Sequence, residues 1–300
     1  MTQQALLVDA SVYVFRAWFS LPATLTDPAG RPVNAFYGFA RFLLDVLAAE
    51  RPDAMACAFD ESLTTSFRNE VYPAYKANRE PAPEELKRQF ALCRRLCRAL
   101  GVLELGDPLF EADDLIGSLM HHHRAAYDTF AILTRDKDLA QLLGPGDVFW
   151  DYAAGVRLDA VGVERRFGLP PARLAELLAL TGDAVDNIPG VPGIGPKTAA
   201  ALLAHFGGLD ALMSGLDALP GSGLRGAKRL AGLLAAHADT VALARRLTVI
   251  STEAPIPADP AALRRRPPDP EALSALFDET GAGARLRALV AHFISREGGR

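Results

Sequence analysis

Nine acidic residues carry the chemistry that this sequence suggests: Asp9, Asp60, Glu111, Asp113, Asp114, Asp136, Asp138, Asp183 and Asp186. Asp9 follows the apolar run Leu6-Leu7-Val8, Asp60 follows Ala58-Phe59, and Asp136 and Asp138 follow Ile132-Leu133-Thr134. A single Asp after a strand is usually a turn or helix cap, but three such placements in one chain ask for a shared cause. Glu111, Asp113 and Asp114 open an apolar helix, where the dipole favours negative charge and residues three apart share a face. Capping would use only one or two of them. Asp183 and Asp186 add a pair just before Pro189. If all nine converge, their repulsion requires cations, and oxygen ligands select hard divalent ions such as Mg²⁺ or Mn²⁺. Two ions about 3.5–4 Å apart activate water and neutralise the attacking and leaving oxygens of an in-line displacement. Phosphodiester hydrolysis is the reaction expected. No Ser-His-Asp order stands out, and His121, His122 and His123 read as an exposed helix end.

Positioning these acids requires strands that end at one place. Residues 5–8, 54–59, 130–134 and 148–150 are predicted strands, with 102–105 a shorter fifth after Gly101. Between them, 34–49 and 83–100 carry helical periodicity, the second rich in Arg and Lys on one side. Such alternation predicts an α/β layer built on a mostly parallel sheet with flanking helices, whose ligands bind beyond the carboxyl ends of the strands. From about residue 167 the chain turns to short Ala- and Leu-rich helices. Residues 255–270, with six prolines, read as an irregular connection before helices around 271–277 and 285–295.

Gly190-Val191-Pro192-Gly193-Ile194-Gly195-Pro196-Lys197-Thr198 precedes an apolar helix over 199–206 and reads as a hairpin between helices. Its glycines allow close approach of a phosphate, and the freed amides with Lys197 offer an anion site. The P-loop spacing fails, and a bare inter-helix turn is the competing reading. A second segment, Gly223-Leu224-Arg225-Gly226-Ala227-Lys228-Arg229, also opens a helix and could meet another phosphate. Contacts of this kind position a duplex without reading its sequence.

The 300-residue chain has a formal charge of −4, which argues against a nucleic-acid partner until the acid cluster is set aside. Removing nine of the 36 acids leaves 27 against 32 Lys and Arg, an excess of five cations. No apolar run reaches the roughly 18 residues of a membrane span, no secretory leader is evident, and the three cysteines read as reduced core thiols. A cytoplasmic monomer is the expectation.

These motifs resemble the bacterial and phage 5′ nuclease family, which includes the 5′–3′ exonuclease domain of DNA polymerase I and the flap endonucleases. The resemblance runs from Leu6-Leu7-Val8-Asp9 through Phe59-Asp60, Glu111-Ala112-Asp113-Asp114, Asp136-Lys137-Asp138 and Gly182-Asp183 to Asp186-Asn187-Ile188-Pro189-Gly190-Val191-Pro192-Gly193-Ile194-Gly195. It implies a PIN-like α/β fold with a helical arch over residues 64–88, followed by a helix-three-turn-helix that grips duplex DNA. It further implies a tighter metal site at Asp9, Asp60, Glu111, Asp113 and Asp114, and a second at Asp136, Asp138, Asp183 and Asp186. K⁺ would be held by hairpin carbonyls of Val191 to Ile194. Arg68, Tyr75, Lys76 and Arg79 match positions that contact the scissile phosphate, Tyr75 being able to stack on an unpaired base, and Arg16 matches a further substrate-facing arginine. Composition alone would equally allow a solvated basic helix, and Pro73, Pro81 and Pro83 interrupt any continuous one.

Arg135 departs from the family pattern, standing beside Asp136 where relatives often carry glycine, so that it either weakens the second metal site or touches substrate. The expected organisation is a nuclease core over 1–166 and a helical DNA-binding region over 167–300 that packs back on it, in a stand-alone nuclease. The expected function is 5′–3′ exonuclease or flap endonuclease cleavage of DNA with 5′ ends, flaps or branches. The alternatives are a DNA-structure-binding protein that cleaves poorly and a PIN-type ribonuclease.

Overall fold

The computed structural model describes residues 3–61 and 64–297. Its first half alternates β1 (Gln4–Asp9), α1 (Ala10–Ser20), α2 (Asn34–Glu50), β2 (Ala54–Asp60), α3 (Phe67–Val71), α4 (Glu84–Ala99), β3 (Leu103–Asp107), α5 (Ala112–His123), β4 (Thr129–Leu133), β5 (Val148–Asp151) and β6 (Val156–Leu158). The helices α6 (Ala160–Phe167), α7 (Leu174–Thr181), α8 (Pro196–Phe206), α9 (Leu209–Ser214), α10 (Ala227–Ala236) and α11 (Ala238–Thr248) follow, then α12 (Pro270–Thr280) and α13 (Ala284–Glu297). All five predicted strands are present. The sheet order is β3-β2-β1-β4-β5-β6, parallel except for β6. β6 was not anticipated because it is three residues long with Arg157 at its centre, which leaves no apolar run to read.

Strand residues alternate between two cores, as the two-residue period requires. Leu6, Val8, Met55, Cys57, Phe59 and Leu133 face α1, α2 and α4, whereas Ala5, Leu7, Ala56, Ala58, Phe130 and Ile132 face α5. Both faces are covered, which explains why the strands read as continuous apolar runs. The same alternation assigns Asp9, Asp60 and Thr134 to the α5 face. Moreover, β1 lies between β2 and β4, so connections leave it in opposite directions and a crevice opens where Asp9 ends its strand.

A third core joins α7 to α11, and it also takes in Val71, Tyr72 and Tyr75 from the stretch expected to form an arch. That stretch is the five-residue α3 followed by turns through residue 79, as its prolines demand. The irregular connection after α11 returns to the α/β layer: Arg265 and Arg266 donate backbone N–H bonds to the Asp53 and Gly101 carbonyls. α12 and α13 then bury Leu273, Phe277, Leu286 and Phe293 in the core of α2 and α4. The last helices thus cover the first layer. No helix among the described residues is long and apolar enough to cross a membrane.

The hairpin between α7 and α8 closes where Gly182 and Gly190 cross in backbone contact. A Cβ on Gly190 would overlap the carbonyl of Thr181, so backbone packing requires glycine at this position. Gly195 faces open space. Accordingly, Gly190→Ala should cost about 1–3 kcal/mol by overpacking, while Gly195→Ala should stay within about 0.5 kcal/mol of wild type, as measured by urea unfolding.

Candidate metal and phosphate site

The acids gather beyond the carboxyl ends of β1, β2 and β4. Asp9 caps α1 and accepts a 2.8 Å hydrogen bond from the Thr134 hydroxyl, which in turn accepts the Asp136 N–H at 2.9 Å. Asp60 accepts from the Ala112 N–H at 2.9 Å, at the amino end of α5, where the helix dipole favours a carboxylate. Its own N–H donates to Ser11 Oγ, a link that tethers the end of β2 to α1. Asp136 begins a 3-10 turn by accepting the Asp138 N–H.

The charges are poorly compensated on one side of this group. Burial, then the fields of Asp60 and Asp136, push Asp9 up to about 8. Burial and Asp136 raise Asp138 to about 7. Asp113 and Asp136 are likewise raised by burial first, and Asp113 also by Asp136, Asp9, Asp60 and Glu111. Asp138 Oδ1 is buried with no hydrogen-bond partner. An all-oxygen donor set, excess negative charge and an orphaned carboxylate oxygen suit hard divalent cations. Among the described residues, no three ligands are drawn tightly enough to enclose an ion by themselves. Mg²⁺ in particular completes its shell with water and makes few direct protein contacts.

On the other side, cations already hold the acids. Lys76 Nζ lies 2.9 Å from Glu111 Oε2, and Arg79 pairs with Asp186. Burial opposes ionisation of Glu111, but Lys76 and Arg68 outweigh it and hold the carboxyl below its ordinary range. Lys137 does the same for Asp183 across a 2.8 Å ion pair, again against burial. This lysine was overlooked in the sequence because it stood between two acids. Arg135 instead turns toward Asp151, 3.2 Å away, and makes no ion pair with Asp136 among the described residues.

Several expectations are corrected by burial. Asp114 is fully buried, with both oxygens bound to Arg68 at 2.6 and 2.8 Å and further N–H bonds from Ser251 and Glu111. No lone pair is left facing the cluster, so its role is to fix Glu111 through a capping box and not to ligate metal. Arg68 is 3% exposed and donates to the Leu247 carbonyl; DNA cannot reach it. Tyr75 is also 3% exposed, its hydroxyl donating to Glu111 at 3.0 Å, so its ring is not presented to a base. Of the histidine run, His121 and His122 are exposed but His123 is buried.

Arg16, Lys197, Arg225 and Lys228 are exposed and unpaired among the described residues, and Thr198 is partly exposed at the start of α8. In contrast, the basic face of α4 is spent in ion pairs: Arg88 with Asp27, Arg94 with Glu104 and Glu61, Arg95 with Glu279. Gly193 lies beside Arg229, which brings the hairpin next to the second glycine and basic segment. Val191 and Ile194 anchor the hairpin by burying their side chains, and the Val191 carbonyl accepts the Ile194 N–H.

The raised carboxyls have a consequence for stability. Groups whose pKa is higher folded than unfolded favour the fold below their unfolded value near 3.8, and that contribution is lost as pH rises through about 7–8. Glu111 and Asp183 act oppositely, but only in the acid range. The melting temperature in chelator should therefore fall between pH 5 and pH 9, and millimolar Mn²⁺ should remove most of that fall. Arg68→Ala should cost about 3–5 kcal/mol in denaturant unfolding, because it strands the Asp114 charge in the interior.

Comparison with known proteins agrees with this architecture. The 5′-3′ exonuclease N-terminal resolvase-like domain matches residues 4–168, and the 5′-3′ exonuclease C-terminal SAM fold matches residues 169–271. The chain is 40% identical to a thermostable DNA polymerase I of Thermus filiformis over 95% of its own length and 33% of that protein. It is 39% identical to a DNA polymerase I of Pseudomonas aeruginosa over 91% of its length and 30% of that protein. The chain thus spans about a third of the curated relatives it matches. Among solved structures, the phage T5 flap endonuclease in a pseudo-enzyme-product complex with DNA and metal ions superposes with a TM-score of 0.67 at 18% identity, covering 97% of this chain and 98% of that one. The catalytic core of Rad2 with DNA substrate gives 0.64 at 16% identity, over 98% and 93%. With both of its domain types matched in sequence order, this chain belongs to the 5′-3′ exonuclease family.

Proposed function

We propose that the protein is a 5′–3′ exonuclease and flap endonuclease that hydrolyses DNA phosphodiester bonds at 5′ ends, flaps and branched junctions. The observation that carries this reading is the set of raised carboxyls at the switch point of the sheet, joined by the two cations Lys76 and Arg79 from the turns after α3. Asp9, Asp60, Glu111 and Asp113 would hold one divalent ion, and Asp136, Asp138, Asp183 and Asp186 a second. Two Mg²⁺ or Mn²⁺ ions, when bound, supply an activated water and neutralise charge on the attacking and leaving oxygens.

The chain's own residues do the rest. Lys76 and Arg79 would exchange their carboxylate partners for the scissile phosphate and stabilise its developing charge. Arg16, exposed one helical stretch after Asp9, would meet the substrate backbone beside them. The glycines Gly193 and Gly195, with Lys197, Thr198, Arg225 and Lys228, would hold duplex phosphates, through contacts that follow DNA shape and not sequence. Carbonyls of Val191 and Ile194 would supply oxygens to K⁺ at the same hairpin. In this division the chemistry belongs to residues 1–166 and duplex binding to the helical region from 167, with the protein acting as a cytoplasmic monomer.

Incubation of the purified protein with a 5′-flap duplex and Mg²⁺ should release the flap with a 3′-hydroxyl, and no cleavage in Mg²⁺ or Mn²⁺ by folded protein would falsify the reading. Asp113→Asn should lower cleavage by about a hundredfold or more while DNA retention in a gel shift persists. Unchanged cleavage by that variant would point to an adventitious nuclease, and faster cleavage of a matched RNA flap to a ribonuclease.

A further inference from the structure

The segment that carries Lys76 and Arg79 is held by local turns and, beyond them, by partners more than a hundred residues away in sequence. Tyr72 and Tyr75 pack into the helical core, and the backbone of the segment is fastened to the turn that bears Asp183 and Asp186. That turn is closed on itself: Asp183 and Ile188 exchange N–H bonds of 3.0 and 2.7 Å, so its six residues move as a unit.

Two asparagines fasten the two pieces reciprocally. Asn187 donates its side-chain amide to the Ala74 carbonyl at 2.6 Å. Asn78 donates in the other direction, to the Ala184 and Val185 carbonyls at 3.2 and 3.4 Å. Between them the Lys76 N–H donates to the Asp186 carbonyl at 3.0 Å. Lys76 sits at φ 54° and Asn187 at φ 57°, left-handed conformations that a lysine in particular adopts only when its surroundings impose it. A tenth of the Lys76 side chain is exposed, and its ammonium is directed at Glu111.

We infer that Asn187 and Asn78 are positioning residues for the nuclease reaction: together they clamp residues 74–79 so that Lys76 and Arg79 stand at the acid cluster. The inference rests on the nuclease reading above. Neither asparagine need touch substrate. Each acts through the backbone that carries the two cations, and each couples that backbone to the helical region.

Asn187→Gly removes the donor while keeping a residue at ease at positive φ, and Asn78→Ala removes the reciprocal pair of bonds. On a 5′-flap duplex with Mg²⁺, each should lower kcat by about tenfold or more, as a displaced catalytic group does, with KM within about twofold and a near-native melting temperature. In a Lys76→Ala/Arg79→Ala background Asn187→Gly should add little, because the clamp acts only through those two cations. Trypsin should also cut after Lys76 and Arg79 faster in both variants than in wild type. A wild type that cleaves while Asn187→Gly matches it, additive losses in the Lys76→Ala/Arg79→Ala background, or unchanged trypsin protection would overturn the clamp alone. A folded wild type that does not cleave would remove the nuclease reading and the clamp with it.

Discussion

Mutual repulsion among buried carboxylates is the constraint around which this protein is organised. A folded chain ordinarily separates or neutralises such groups, since each one taken out of water without a partner is costly. Here Asp9, Asp113, Asp136 and Asp138 are brought within each other's fields and pushed toward the neutral form. Two-sided burial of a parallel sheet makes this tolerable. The apolar faces of β1, β2 and β4 lock the strand ends in place, so the acids at those ends cannot retreat from each other without disrupting two cores.

The compensation is unequal, and the inequality gives the site its direction. Glu111, Asp183 and Asp186 have lysine or arginine partners, while Asp113, Asp136 and Asp138 draw no ion pair among the described residues. Lys76 is within the field of Asp60 and Asp136 as well as paired with Glu111, so cations and uncompensated acids share one site. That mixture suits a phosphate diester, whose own charge repels carboxylates until cations intervene.

Glu111 is one of the places where the two halves of the molecule meet. It caps α5 in the α/β layer, yet its carboxylate takes Tyr75 and Lys76 from a segment packed on the helical core. Beneath it, the buried Arg68–Asp114 pair ties α3 to α5 and reaches the end of α11 through the Leu247 carbonyl. A buried ion pair of this kind adds little net stability over an apolar contact, but it is intolerant of losing one partner. Its effect is to fix one arrangement of three elements around the acids.

The sequence by itself determined the strands, the parallel layer, the helical second half and the identity of the acid cluster, because each is written in local periods: apolar runs closed by Asp, and glycine at chain reversals. Which acids remain free to bind an ion was not local. Asp113 and Asp114 are neighbours of the same type at one helix start, and only packing against Arg68 removes Asp114 from the cluster. Likewise Arg68 and Tyr75 looked like surface partners for DNA until tertiary burial turned them inward, and Lys137 gained a role only because Asp183, 46 residues later, folds against it. β6 stayed hidden since its three residues form a strand only by pairing with β5. Residue type and spacing specify what a segment can do alone, whereas partners distant in sequence decide which charges are satisfied, and it is the unsatisfied ones that make a site.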